Sequence, residues 1–180
     1  METVFKKSYV LVALALLMTV LIGACGGSNG PPSNLTDELS TLAVDFEKFL
    51  SANDAVAFGY SPSTECVEAP DLGVMGMHFV NSDLVADPAI DASTPEAMIY
   101  QPSSDGFKLV AVEYMLALGA PGADIPADVP PAPVLFGQTF DGPEAAPSVD
   151  VPPHYGLHVW LFQENEAGVF EAFNAAGSCS

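Results

Sequence analysis

The 180-residue chain has no arginine and only four lysines, set against 23 aspartates and glutamates, for a formal net charge of −19. Cations this scarce cannot neutralise a phosphate backbone, which excludes a nucleic-acid binder. They are equally unsuited to electrostatic docking on anionic lipid. Cysteine occurs three times, too rarely for a disulfide-dense scaffold and at no spacing that makes a CxxC metal knuckle. No HExxH pair, GxSxG elbow or glycine-rich phosphate loop is present, so no local motif announces a reaction. The long apolar stretch, residues 8–23, is 16 residues, short of the roughly 20 that a membrane span needs. What the chain does have is apolar substance. Hydrophobic residues make up 49 %, with 11 phenylalanines and five tyrosines, so a core can form and an acidic disordered tail is excluded.

The first residues read as an address. Lys6 and Lys7 precede the apolar stretch, and small residues follow it, the three parts of a secretory signal. The sequence Ile22-Gly23-Ala24-Cys25 resembles the lipobox of bacterial lipoproteins. That resemblance implies cleavage after residue 24 and lipidation of Cys25, with membrane attachment through the lipid. Twin arginine is absent, which favours general secretion. Gly26 is not an acidic retention residue, which points to the outer membrane or cell surface. Residues 25–35, with Gly26, Gly27, Ser28, Gly30, Pro31 and Pro32, form a flexible tether. Residues 36–180 then suit one domain. Two cysteines remain in a chain bound for an oxidising compartment, Cys66 and Cys179. They allow a single bridge worth roughly 4 to 5 kcal/mol by loop-closure entropy; the alternative is a pair of buried thiols.

Periodicity predicts the architecture. Leu39, Leu42, Ala43, Phe46, Phe49 and Leu50 recur at helical spacing, predicting one amphipathic helix from about Thr36 to Asn53. Strands are predicted at Val74 to Val80, Ala97 to Tyr100 and Phe107 to Leu116, the last two joined by a hairpin loop, Pro102 to Gly106. Residues 117–153 are dense in proline and predict a long surface loop with a short edge strand at Val134-Leu135-Phe136. A central strand is predicted at His154 to Phe162, then a turn at Glu164 to Gly168 and a short closing helix at Val169 to Phe173. The expected fold class is α+β: an N-terminal amphipathic helix packed on a small antiparallel sheet, with a long proline-rich loop.

Chemistry is expected where polar residues interrupt apolar strands. All three histidines, His78, His154 and His158, lie in or beside such strands. Glu113 interrupts another, on the predicted face of Leu109, Ala111 and Met115. A lone buried carboxylate costs several kcal/mol, so Glu113 needs a partner. Three outcomes stand open. His78, Glu113 and His158 converge to bind Zn²⁺ with an open position, or Fe²⁺ as a facial triad. Alternatively Glu113 and a histidine form a satisfied core network, or an acid–base pair. His154 is expected about 13 Å along the strand from His158 at ~3.3 Å per residue, too far to share an ion. Asp124, Asp128, Asp141 and Asp150 of the proline-rich segment read as solvated surface.

The segments Gly76 to Asn81, Thr94 to Tyr100, Leu109 to Tyr114, Leu135 to Gln138 and Pro152 to Asn174, in that order, resemble a family of uncharacterised secreted or lipid-anchored bacterial proteins. The resemblance covers residues 60–180 and implies an extracytoplasmic domain, with no activity or site residue to carry over. This chain departs from the pattern at Asn165-Glu166-Ala167-Gly168, where Asn-Pro is expected before the small residue and glycine. Two functions remain: a binding or structural module using an apolar pocket roofed by the proline-rich loop, for a small-molecule or protein ligand, and a metal-binding protein or metal-dependent enzyme.

Overall fold

The computed structural model describes residues 31–146 and 148–180. The segment assigned to export and to lipidation at Cys25 lies outside them. Among the described residues the fold is mixed α+β and dominated by an antiparallel sheet. No helix among them is long and apolar enough to cross a membrane.

The chain enters through α1 (Asp37–Phe46), capped by Thr36, whose side chain accepts the Leu39 N–H. Asp37 and Glu38 sit in the first turn, where the helix dipole favours negative charge. Leu39, Leu42, Ala43 and Phe46 are its buried stripe. A 3-10 turn (Glu47–Phe49) and a short α2 (Ala52–Ala57) follow, where periodicity alone predicts one continuous helix. The break has a tertiary cause. Tyr100 Oη donates to the Phe49 carbonyl at 2.6 Å, which anchors that carbonyl to the sheet. Ser51 is accordingly extended.

Strands β1 (Ser61–Pro62), β2 (Val67–Ala69) and β3 (Gly73–Val80) come next, then a single turn of helix, α3 (Ser82–Val85). The hairpin β4 (Ala97–Ser103) and β5 (Gly106–Ala117) closes more tightly than the predicted five-residue loop, with Ser103 opposite Gly106. The proline-rich segment holds a small separate hairpin, β6 (Val134–Leu135) and β7 (Gln138–Thr139), turned by Phe136 and Gly137, both at positive φ. It then supplies β8 (Asp141–Glu144) before β9 (His154–Val159). The main sheet runs β1-β3-β4-β5-β9-β8, with β2 also on β3. Thus β9 is interior, as its two apolar faces predict. The short strand expected at residues 134–136 forms as β6, an edge of the separate hairpin, and the main sheet's own edges, β1 and β8, hold Pro62 and Pro143, where a missing N–H is tolerated.

Register separates two faces. Phe79, Met98, Tyr100, Val112, Tyr114, Leu157 and Val159 pack with the α1 stripe in the principal core. The opposite face carries Val80, Ala97 and Met115 with Val151, and Ile99, Ala111 and Trp160. A bulge corrects the sequence expectation here. Ile99 pairs with Ala111 but Tyr100 pairs with Leu109, so Val110 is the extra residue and the alternation inverts. Leu109 therefore joins the principal core and does not share the face of Glu113.

The closing helix is not formed. Trp160 N–H donates to the Val169 carbonyl at 2.9 Å, and Trp160 Nε1 to that of Glu171 at 2.6 Å. Asn165 Nδ2 takes the Phe173 carbonyl at 3.0 Å. These oxygens serve tertiary partners, and residues 169–173 run as turns and bends. The preceding turn does form: Gly168 N–H bonds the Asn165 carbonyl, with Glu166 in place of the expected proline. Cys66 and Cys179 are joined by a disulfide across 113 residues, tying the chain's end to the segment before β2.

Candidate metal centre

The second face is where the polar residues meet. Glu113 on β5 lies directly opposite His158 on β9. His78 on β3 is opposite Ile99 of β4, and Ala97 of β4 is opposite Glu113. Two interstrand spacings, about 9.6 Å, separate β3 from β5, and the side chains of His78 and Glu113 bridge that gap over β4. His78 Nε2 stands 3.5 Å from Glu113 Oε2 and 3.5 Å from His158 Nε2. The two imidazole rings are perpendicular. His78, Glu113 and His158 are all buried, and each offers an atom within 4.8 Å of the others. The three residues singled out in the sequence are thus brought together.

Two of the three, His78 and Glu113, have support from behind. Thr64 Oγ1 accepts the backbone N–H of His78 at 3.0 Å and lies 3.2 Å from His78 Nδ1. With its proton on Nδ1, His78 turns a free Nε2 lone pair to the centre. The other oxygen of Glu113, Oε1, lies 3.4 Å from His154 Nε2. His154 Nδ1 in turn sits 2.9 Å from the Pro152 carbonyl.

His154 thus touches Glu113 but stays outside the ligand set, as the strand spacing predicts. The contact forms because Glu113 leans back over Gly156, midway between the two histidines. A Cβ at Gly156 would lie 2.6 Å from Glu113 Oε1 and 3.6 Å from His154 Nε2. The absent side chain is the space in which the contact forms. The pattern His154-x-Gly156-x-His158 was available in the sequence as a signal: two histidines on one strand face with room between them.

Electrostatics divide the histidines. Burial holds His78 well below the ordinary imidazole value, at about 4, which keeps it neutral. Burial also pushes His154 down, but the Glu113 carboxylate and the Pro152 carbonyl more than reverse this and raise it to about 9. Burial pushes Glu113 up, and the surrounding imidazoles, His158 foremost, bring it down to about 2. The centre therefore combines an ionised carboxylate, a cationic His154 and a neutral His78.

Above the cluster lies a cavity of about 170 Å³. Its apolar walls include Val67, Val80, Met115 and Val151, and Glu144 of β8 also faces it. Burial, reinforced by Glu113, raises the Glu144 carboxyl above the ordinary range. Thr64 and Glu144 were not anticipated as site residues, since nothing in their local sequence distinguishes them. No protein-family profile, curated protein or solved structure matches the chain.

Proposed function

We propose that this is a lipid-anchored cell-envelope protein that binds a divalent transition-metal ion, Zn²⁺ or Fe²⁺, through His78 Nε2, His158 Nε2 and Glu113 Oε2. The observation that carries this reading is the spacing of the ligand atoms. At about 2.0–2.1 Å from a tetrahedral zinc ion, neighbouring ligand atoms sit roughly 3.3–3.4 Å apart. His78 Nε2 lies 3.5 Å from both of its neighbours in the cluster. These atoms are therefore spaced as ligands around one ion would be. The Thr64 contact behind His78 is the outer support that metal-ligating histidines ordinarily have. Two imidazoles and one carboxylate leave a position open, the composition of catalytic zinc and non-haem iron sites rather than closed structural ones.

Elemental analysis of protein purified without chelator or affinity tag tests this. One equivalent of metal is expected, lost in His158→Ala; folded, metal-free wild-type protein with no affinity for added Zn²⁺ or Fe²⁺ overturns it. Anchoring is tested separately. Cys25→Ser is expected to release the protein from membranes, and undiminished membrane retention refutes lipidation. The cavity supports a second reading, an apolar ligand module roofed by the proline-rich segment, since Glu144 and Val151 of that segment line it. That reading predicts ligand binding unaffected by chelators.

A further inference from the structure

Glu113 has two oxygens, and a metal at this centre would take one or both. If both, a tetrahedral zinc-type ion with two imidazoles already has its four donors. The geometry around Oε1 decides between these states.

His154 Nδ1 is 2.9 Å from the Pro152 carbonyl, an oxygen that can only accept, so Nδ1 carries a hydrogen. His154 Nε2 is the ring nitrogen turned towards Glu113 Oε1, at 3.4 Å. The ring is buried and anchored at both nitrogens. Gly156 leaves open the volume in which Oε1 lies, and Oε2 alone is turned towards His78.

We propose that His154 pins Glu113 as a one-oxygen ligand and thereby keeps a coordination position open, into the cavity, for a small anionic donor. This rests on the metal reading above and adds to it the class of ligand the centre accepts. A divalent ion held by two neutral imidazoles and one carboxylate keeps a net positive charge, so an anion is favoured. The apolar walls contributed by Val80, Met115 and Val151 strengthen that attraction by excluding water. Size sets the upper limit. A cavity of about 170 Å³, against about 30 Å³ for a water molecule, admits azide or a carboxylate of a few carbons. His154 is a positioning residue in this scheme: it acts through Glu113 and does not touch the ligand.

Cobalt(II), which takes zinc-type sites and absorbs in the visible, provides the readout, with azide as the probe. Wild-type protein is expected to bind one equivalent of Co²⁺ and to change its spectrum saturably as azide is added. In His154→Leu, freed Oε1 closes onto the metal, and the azide response is expected to weaken at least tenfold while Co²⁺ stays bound. His154→Gln restores an N–H donor to Oε1 and is expected to restore the response, which a merely structural role for the ring would not require. A leucine variant that binds azide as wild type does, or a glutamine variant that fails to recover the response, overturns the proposal. If the leucine variant does not fold, Gly156→Ala reads the same contact, because its methyl displaces Oε1; an unchanged azide response there is equally fatal. Wild-type protein that binds no Co²⁺ defeats the metal reading itself, whereas Co²⁺ binding blind to azide defeats only this inference.

Discussion

The two faces of the sheet are built to different rules. The face towards α1 is apolar and aromatic, with Phe46, Phe79, Met98, Tyr100 and Tyr114 in one continuous core. Its tyrosine hydroxyls leave that core for loop carbonyls: Tyr100 to Phe49 and Tyr114 to Ala92. The opposite face has two small apolar clusters, with three histidines and a carboxylate between them. Buried polar groups of this kind add little net stability even when satisfied. The first face holds the fold, and the second uses the rigidity so obtained to keep lone pairs facing one another.

That division can be broken or sharpened by substitution, and the largest effect is expected on the first face. Phe46 is fully buried beneath the sheet, and Phe46→Ala is expected to cost about 3–5 kcal/mol of unfolding free energy. Metal affinity of the molecules that remain folded should be unchanged. Loss of metal in a folded Phe46→Ala protein, by chelator competition, would show that the faces are not independent.

Next comes the second face itself. Saturating Zn²⁺ at 100 times its Kd is expected to stabilise wild-type protein by about 2.7 kcal/mol. His158→Ala and Glu113→Gln are expected to abolish that gain while changing metal-free stability much less than Phe46→Ala does. Thermal melts with and without Zn²⁺ decide it; a zinc shift that survives both substitutions would place the ion elsewhere. A smaller, graded loss is expected in Thr64→Val, which removes the contact behind His78 and should weaken zinc binding by about 10-fold, at the low end for outer partners. Competition with a chromophoric chelator measures it, and an unaltered affinity would show that His78 is held by its strand alone.

A comparable effect concerns pH. Glu96 is buried and accepts the Met115 N–H at 2.8 Å; burial raises its pKa from 4.5 to about 7. The folded state thus holds this proton more tightly than the unfolded state does. Its contribution to stability is full below pH 4.5 and is lost as pH rises through 7. Glu96→Gln keeps an acceptor for Met115 without an ionisable proton. Denaturant titrations should show the variant gaining about 1–3 kcal/mol on wild type between pH 4.5 and 7.5; a constant difference across that window would contradict it.

The legible part of this molecule is the part where burial and periodicity coincide. The stripe from Leu39 to Phe46 and the apolar runs of β3, β4, β5 and β9 announce themselves, because each must hide its side chains at the spacing of its own backbone. Cys66 and Cys179 were legible as a bridge, given a single possible pairing. His78, Glu113 and His158 stood out because a polar group within an apolar strand demands a partner. What could not be read depends on distant contacts. The helix breaks at Phe49, where Tyr100, 51 residues on, anchors its carbonyl to the sheet. The closing helix yields to Trp160 and Asn165 in the same way. The bulge at Val110 inverts one strand's alternation with no glycine or proline to mark it. The contact of His154 with Glu113 could not be read, because a distance along the backbone ignores how far a glutamate can lean over a glycine.

The strand order has a consequence in time. His78 and His158 are 80 residues apart, and His158 joins the centre only when β9 adds to β5. The disulfide also needs a residue beyond β9, since Cys179 follows His158 in the chain. A chain still being synthesised has His78 and Glu113 but not the residue that completes the set. If the centre binds metal as proposed, the ion would be taken up only after β9 has docked on β5.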